Sequence, residues 1–341
     1  MNQSASESGV SIVICTHNGA GLIANTLDCL MAQRVSSGIE WEVVLVDNAS
    51  TDGTADVARS HWSHPVPLRI IPEERLGVGF ARLTGIRESQ YEYVCFVDDD
   101  NHLNEDWVDT AFRLMQAHPR AGAIGGYNDC QCETTPPAWF QPYAACYAVG
   151  GQAPEEGELT EERRALWSAG MILRKTAWSD LEQAGFNPLL SGRSGKKKLS
   201  GEDTEICYLL RILGWKVYYF TSLKLTHQIP SGRLRWTYLC RLQRGFGAAS
   251  IYLKIYRQIL HYRQTGEEIR EKHWARELLN DTGAMLGSPL VLGATLFRLY
   301  EGNDRVVRMH AVIGRWQERL RLGRRLEQIE DKLWSAYAYL D

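Results

Sequence analysis

Tyr93-Val94-Cys95-Phe96-Val97-Asp98-Asp99-Asp100-Asn101 reads as a buried strand running straight into three carboxylates. Its first five residues are apolar, β-branched or aromatic, as a strand in the middle of a sheet requires. Carboxylates at alternate positions past a strand end, here Asp98 and Asp100, can face one cleft. Such hard oxygen ligands suit Mg²⁺ or Mn²⁺, with phosphate oxygens completing the coordination. The plain alternative is an acidic turn that caps the next helix, and for an isolated triplet that alternative wins. The choice rests on what lies around it.

Working outward, further strands are predicted over residues 10–15, 41–47, 68–71 and 121–125. Helices are predicted over 22–33, from about 53 to 60, and over 78–89 and 105–117. This alternation implies βαβ units: an α/β fold with a mostly parallel sheet flanked by helices. Ligands bind beyond the carboxyl ends of such strands. Three polar clusters stand there: Thr16-His17-Asn18-Gly19, the run from Asp47 to Gly53, and Asp98 to Asn101. Their convergence on one sheet edge favours the functional reading of the triplet. Residues 130–164 read as an irregular surface excursion. A returning strand follows over 167–173, then a glycine-rich basic loop over 187–200, a helix over 202–213 and two short strands over 215–220 and 223–226. From about residue 234 the pattern is helical, giving a nucleotide-binding catalytic region over 1–230 and a helical extension over 231–341.

Charge divides along the same boundary. Residues 1–230 hold 19 Lys and Arg against 29 Asp and Glu, a net of −10, and residues 231–341 hold 19 against 12, a net of +7. The basic extension suits an anionic surface, with Arg241, Arg244, Lys254 and Arg257 as the residues to test. Equally, it is a helical appendage that packs on the catalytic region or mediates self-association. Eight cysteines, several inside apolar runs, read as reduced core residues, and Cys130-Gln131-Cys132 lacks the spacing of a structural zinc site. Residues 1–9 do not form a secretory leader, and the apolar stretch 289–299 is shorter than the about 20 residues needed to cross a bilayer. The expectation is a cytoplasmic protein, with peripheral attachment to the inner membrane face left open. Nothing in the pattern calls for nucleic acid.

Gly201-Glu202-Asp203-Thr204-Glu205 opens a helix, where acids are stabilised by the helix dipole. The functional alternative makes Asp203, with Glu202 beside it, a general base for an acceptor hydroxyl. Arg75 and Arg82 flank a Gly77-Val78-Gly79 run that is not a dinucleotide fingerprint, because Arg82 stands where its third glycine belongs. These arginines are either diphosphate contacts or ordinary helix residues. His227 is either a metal or phosphate ligand or a plain surface histidine.

Taken together, Ser11-Ile12-Val13-Ile14-Cys15-Thr16-His17-Asn18, Val46-Asp47-Asn48-Ala49-Ser50-Thr51-Asp52-Gly53-Thr54, the segment from Gly77 to Gly85, Phe96-Val97-Asp98-Asp99-Asp100 and Gly201-Glu202-Asp203-Thr204-Glu205 resemble family 2 glycosyltransferases with the A-type fold. The resemblance covers roughly residues 10–230. It implies an inverting transferase that takes a sugar from a nucleoside diphosphate, often UDP, with Mg²⁺ or Mn²⁺. On that basis Thr16, His17 and Asn18 border the nucleotide, and Asp47 binds the base. Asp98 meets ribose or metal with Asp99 beside it, and Asp100 is the principal metal ligand. Asp203 is the base, His227 a further metal or diphosphate contact, and Gly170 the donor-side glycine turn. Arg75 and Leu83 depart from the asparagines frequent in the family. The Gln-x-x-Arg-Trp motif of processive members is missing ahead of Arg235-Trp236, which implies transfer of a single sugar. The acceptor class would be a glycan or lipid-linked hydroxyl in surface-polysaccharide or glycoconjugate synthesis. Rival readings are a non-catalytic nucleotide-sugar-binding or scaffold protein, and a sugar nucleotidyltransferase.

Overall fold

Apolar strands of five to eight residues separated by helices with one buried stripe leave few ways to bury both, and a helix-covered sheet is the common one. In the computed structural model, which describes residues 7–159, 165–190, 193–194, 197–198, 201–270 and 274–339, the chain takes this route. It runs β1 (Glu7–Thr16), α1 (Ile23–Met31), β2 (Trp41–Asp47), α2 (Thr54–His61), β3 (Leu68–Pro72), α3 (Val78–Glu88), β4 (Tyr91–Asp98), β5 (Asn101–Leu103), α4 (Trp107–Ala117) and β6 (Ala121–Cys132). A 3₁₀ segment (Gln141–Tyr147), β7 (Gly157–Glu158), β8 (Ile172–Arg174), α5 (Lys175–Gln183), β9 (Arg193–Ser194), β10 (Lys197–Lys198), α6 (Glu202–Ile212) and β11 (Lys216–Ile229) follow. The helical extension comprises α7 (Trp236–Thr265), α8 (Trp274–Leu286), α9 (Pro289–Leu296), α10 (Asp304–Leu322) and α11 (Arg325–Tyr337).

Among the described residues the main sheet runs β3-β2-β1-β4-β8-β6-β11-β5, with β7 on β11. β1 pairs in parallel with β2 and β4, so that Cys15 meets Asp98 and Thr16 meets Asp47. The ends of three parallel strands are thus level. β8 runs against β4 and β6. Because of that reversal, the turn before it, Ser168 to Met171, lies at the carboxyl end of β4. The Gly170 amide donates to Phe96 O at 2.9 Å, and Gly170 has a left-handed φ of 72°.

Several boundaries differ from the sequence reading. The two strands expected over 215–220 and 223–226 are one. Between the pairs Tyr219–Gly125 and Lys224–Tyr127, β11 carries extra residues opposite Gly126, and this bulge interrupts the alternation. The strand expected over 121–125 continues to Cys132, and the one expected over 167–173 forms only at its end. Residues 191, 192, 195, 196, 199 and 200 of the basic loop and residues 160–164 of the excursion lie outside the described residues. The backbones of β9 and β10 pair antiparallel.

The helical extension is not an exposed basic arm. Ala249, Tyr252 and Tyr256 of α7, with Trp334 and Tyr337 of α11, share one buried cluster with Ile206, Leu209 and Leu210 of α6. Two of the four residues singled out for a membrane are already engaged: Lys254 pairs with Glu277, and Arg244 donates to His310 at 3.0 Å. Arg241 is exposed and Arg257 half-buried.

The bulge at Gly126 gives a test of the sheet. A Cβ there would lie 1.9 Å from the Leu223 carbonyl oxygen, whereas one at Gly21 would meet nothing within 4 Å. Gly126→Ala is expected to lower unfolding stability by about 3 kcal/mol, the upper range for overpacking. Gly21→Ala should stay near wild type in the same urea titration, and equal midpoints for the two would contradict the assigned packing.

Candidate active site

Each polar cluster is stitched to the next. Asn18 takes a left-handed φ of 56°. Its side-chain oxygen accepts from the Thr51 amide at 2.8 Å, and the Asn18 amide donates to the Ser50 hydroxyl at 3.0 Å. His17 Nδ1 meets Asn48 O at 2.7 Å, and Asp47 accepts from the Ser50 amide at 3.1 Å. Buried Asn48 donates to Glu73 O and Arg75 O and accepts from the Gly77 amide, which holds the loop before α3 over the end of β2. Thr16 donates to Asp99 Oδ2 at 2.5 Å. Gly19 sits so close to that bond that a Cβ would lie 2.2 Å from the hydroxyl. Arg75 points elsewhere: it forms a two-pronged pair with Glu73 at 2.9 and 2.8 Å.

The triplet divides its contacts. Asp98 faces Arg82, Oδ1 to Nη2 at 3.6 Å. Asp99 is spent on Thr16, and burial lifts its pKa to about 6 against that hydrogen bond. Asp100 is almost wholly buried on the side of β11. Pairing of Asn101 with His227 brings His227 beside it, with Nε2 to Oδ1 at 3.5 Å. His227 Nδ1 donates to Tyr147 O at 2.9 Å, which turns Nε2 toward Asp100, as a donor when the ring is protonated and as a lone pair when it is neutral. Arg233 Nη1 fills the gap, 2.9 Å from Asp100 Oδ2 and 3.1 Å from His227 Nε2. Burial alone would raise the Asp100 pKa, but His227 and Arg233 hold it below the usual carboxylate range.

Across the cleft, buried Arg82 is the hinge of the arrangement. Its guanidinium reaches Glu202 Oε1 at 2.8 Å and the Ser168 hydroxyl at 2.8 Å while facing Asp98. The Ser168 amide in turn donates to Asp203 Oδ2 at 3.2 Å, and the Thr204 amide to Oδ1 at 2.7 Å. Acid triplet and helix-opening acids therefore lie within the span of one arginine. Burial, reinforced by Glu202, raises Asp203 to about 6, the range of a usable base near neutrality.

Residues 11–180 match the description Glycosyl transferase family 2. The chain belongs to the family 2 glycosyltransferases. This glycosyltransferase is 24% identical over 67% of its length to Glycosyltransferase GlyA of Streptococcus pneumoniae, of which it covers 32%. It is 23% identical over 67% of its length to the glucosyl-dolichyl phosphate glucuronosyltransferase of Haloferax volcanii, of which it covers 72%. In fold it is similar to the mannosyltransferase PcManGT from Pyrobaculum calidifontis, solved with GDP-Man and Mn²⁺. That TM-score is 0.57, at 20% identity over 91% of this chain and 86% of the other. S. aureus TarS 1-349 in complex with UDP-GlcNAc gives a TM-score of 0.51, at 14% identity over 97% and 93%. Both likenesses bear on fold.

The structure brings Thr16, His17, Asn18, Asp47, Asp98, Asp99, Asp100, Gly170, Arg82, Glu202, Asp203 and His227 to one sheet edge. Among the described residues no three His, Cys, Asp or Glu side chains close into a ready cation cage. The donor set nevertheless fits a hard cation: Asp98 and Asp100 oxygens and an imidazole nitrogen turned inward, around a gap that an arginine already fills with positive charge. Tyr147 was missed in the sequence because it acts through its backbone carbonyl, which carries no side-chain signature, and Ser168 because its amide and hydroxyl meet partners far away in the chain.

Glu205, two residues beyond Asp203, is fully buried. It accepts from the Tyr256 hydroxyl at 2.7 Å and from the Leu189 and Leu190 amides at 2.9 and 3.0 Å. Burial raises its pKa to about 7. A carboxyl pKa raised by folding favours the native state below the unfolded value and loses that contribution as pH rises through 7. Tyr256→Phe removes one donor to the ionised form and should cost about 1–3 kcal/mol. The loss should be larger at pH 8 than at pH 5 in chemical denaturation. Equal losses at both would contradict the assignment.

Proposed function

We propose that this glycosyltransferase is an inverting enzyme. It moves a single sugar from a nucleoside-diphosphate donor, UDP-linked, to a hydroxyl of a glycan or lipid-linked acceptor, and it uses Mg²⁺ or Mn²⁺. The observation that carries the reading is the Arg82 bridge, which sets the triplet and Asp203 on two sides of one cleft. In this reading the base and ribose lie along Thr16 to Asn18 and Asp47, with the diphosphate toward Asp98, Asp100 and His227. Those three would hold the divalent ion, which when bound neutralises charge on the departing diphosphate. Asp203 takes the proton of the acceptor hydroxyl as its oxygen bonds to the anomeric carbon. The carbon–oxygen bond to the diphosphate breaks on the opposite face, so the anomeric configuration inverts. Glu202, engaged by Arg82, orients that arginine and raises the basicity of Asp203. Peripheral contact with an anionic membrane would bring a lipid-linked acceptor to this edge. The dolichyl phosphate in the name of the archaeal relative is in keeping with that class.

Asp203→Asn should lower kcat by roughly 10²–10⁴-fold, the usual worth of a positioned base, and leave donor affinity nearly unchanged. Because the base acts ionised, the wild-type rate should climb with pH through about 6 and level off. Near-normal turnover by the variant, with donor and acceptor both supplied, refutes the role. Release of pyrophosphate instead of a nucleoside diphosphate would identify a nucleotidyltransferase, and binding without turnover a scaffold.

Arg233 supplies the positive charge that Asp100 requires when no other cation is present. Arg233→Ala should therefore tighten Mn²⁺ binding, read from the free-ion electron paramagnetic resonance signal, by about tenfold or ~1.4 kcal/mol. Weaker binding would show that Arg233 supports the ion instead of competing with it.

A further inference from the structure

The sixteen residues between Asp281 and Arg298 carry no charge. They form the end of α8, the whole of α9 and the turn that follows. Leu286, Leu290, Leu296 and Phe297 are all largely exposed, Leu290 at 88% and Phe297 at 77%, and Leu299 and Tyr300 continue the patch. Of α9 only Ala294 and Thr295 are buried, and the Thr295 hydroxyl is closed off on Val291 O at 2.7 Å. The helix is thus rooted through Val291, Ala294 and Thr295, and it exposes Pro289, Leu290 and Leu296 on the opposite side.

Where it is rooted matters. Ala294 belongs to the cluster formed by Trp139, Phe140, Tyr147, Trp236 and Val307. Tyr147 is the residue whose carbonyl fixes His227, and Trp139 donates to Glu301 at 2.6 Å. The apolar projection is therefore joined to the rim of the active site. Arg298 is exposed at its base, near enough to Arg244 for the two to repel.

A protein partner covers one face of a helix and leaves the other polar, as a coiled coil or groove does. A helix with no polar side, bordered by a tyrosine and an arginine, matches the apolar-to-headgroup boundary of a bilayer. At eight residues α9 is about 12 Å long, enough to enter one leaflet and too short to cross. The exposed Arg298 is complementary to headgroup phosphate.

We propose that α9 and the turn to Tyr300 form an apolar wedge that inserts into the surface of an anionic lipid bilayer, with Arg298 meeting the headgroup phosphates. The wedge holds the His227 rim at the membrane. This deepens the lipid-linked acceptor reading and rests on it for its purpose, while its test does not depend on turnover.

The full chain is floated with phosphatidylcholine vesicles and with vesicles containing phosphatidylglycerol as well. Wild type should rise with the anionic vesicles, and high salt should weaken this without abolishing it. Leu290→Glu with Phe297→Glu should reduce the bound fraction roughly tenfold or more. Both side chains are exposed, so melting temperature and donor hydrolysis should stay at wild-type values. Wild type remaining in the dense fraction, or the double variant floating equally well, overturns the wedge. So does a wild-type dimer that the double variant converts to monomer without any flotation, because a second copy would then be what covers the patch. Loss of transfer with flotation intact would instead count against the transferase reading alone.

Discussion

Grouping Asp98, Asp99, Asp100, Glu202 and Asp203 around one cleft is electrostatically costly, and the buried guanidinium of Arg82 is the constraint that makes it tolerable. It faces Asp98, binds Glu202 and holds Ser168, whose amide supports Asp203. A buried charge without partners costs several kcal/mol, so neither side of the cleft can be understood without the other. The same logic recurs at the far end of the triplet, where Arg233 and His227 offset Asp100. Like charges held close at a site of this kind are a reserve of attraction for a cation and its phosphates. Unequal surroundings also spread the acids' proton affinities apart: His227 and Arg233 hold Asp100 below the usual carboxylate range, and burial raises Asp203 to about 6.

The sheet supplies the positions. Level strand ends set Thr16, Asp47 and Asp98 side by side, and the antiparallel insertion of β8 returns Ser168 and Gly170 to the same edge. β5 against β11 then places His227 next to Asp100. A cleft assembled from seven separate stretches of chain needs rigid support. Part of it comes from the helical extension, because Tyr256 of α7 reaches Glu205 on the helix that carries Asp203.

Much of this was legible in the sequence, for identifiable reasons. Residues 93–97 are apolar because this part of β4 is buried on both faces, and the carboxylates begin where the strand ends. Glycines and short polar residues mark the strand ends because backbone must pass close to polar side chains there, as Gly19 does beside the hydroxyl of Thr16 and the carboxylate of Asp99. What was not legible is pairing over long range. Nothing near Arg75 says that it turns to Glu73, and nothing near Glu202 says that it meets Arg82, 120 residues away. The bulge in β11 hid one strand as two, and the arginine-rich tail read equally as an arm for an anionic surface and as a packed appendage, between which only the burial of α7 against α6 discriminates. Charge content gave the sign of the extension but not which of its charges were already paired.

The most direct test is a crystal structure of this chain with Mn²⁺ and an unreacted UDP-sugar analogue. The account predicts the diphosphate and ion against Asp98, Asp100 and His227. The Asp203 carboxylate should lie across the sugar from the diphosphate, within reach of a hydroxyl attacking the anomeric carbon. A donor bound away from the triplet, or an anomeric carbon with Asp203 on the same side as the leaving group, would contradict it.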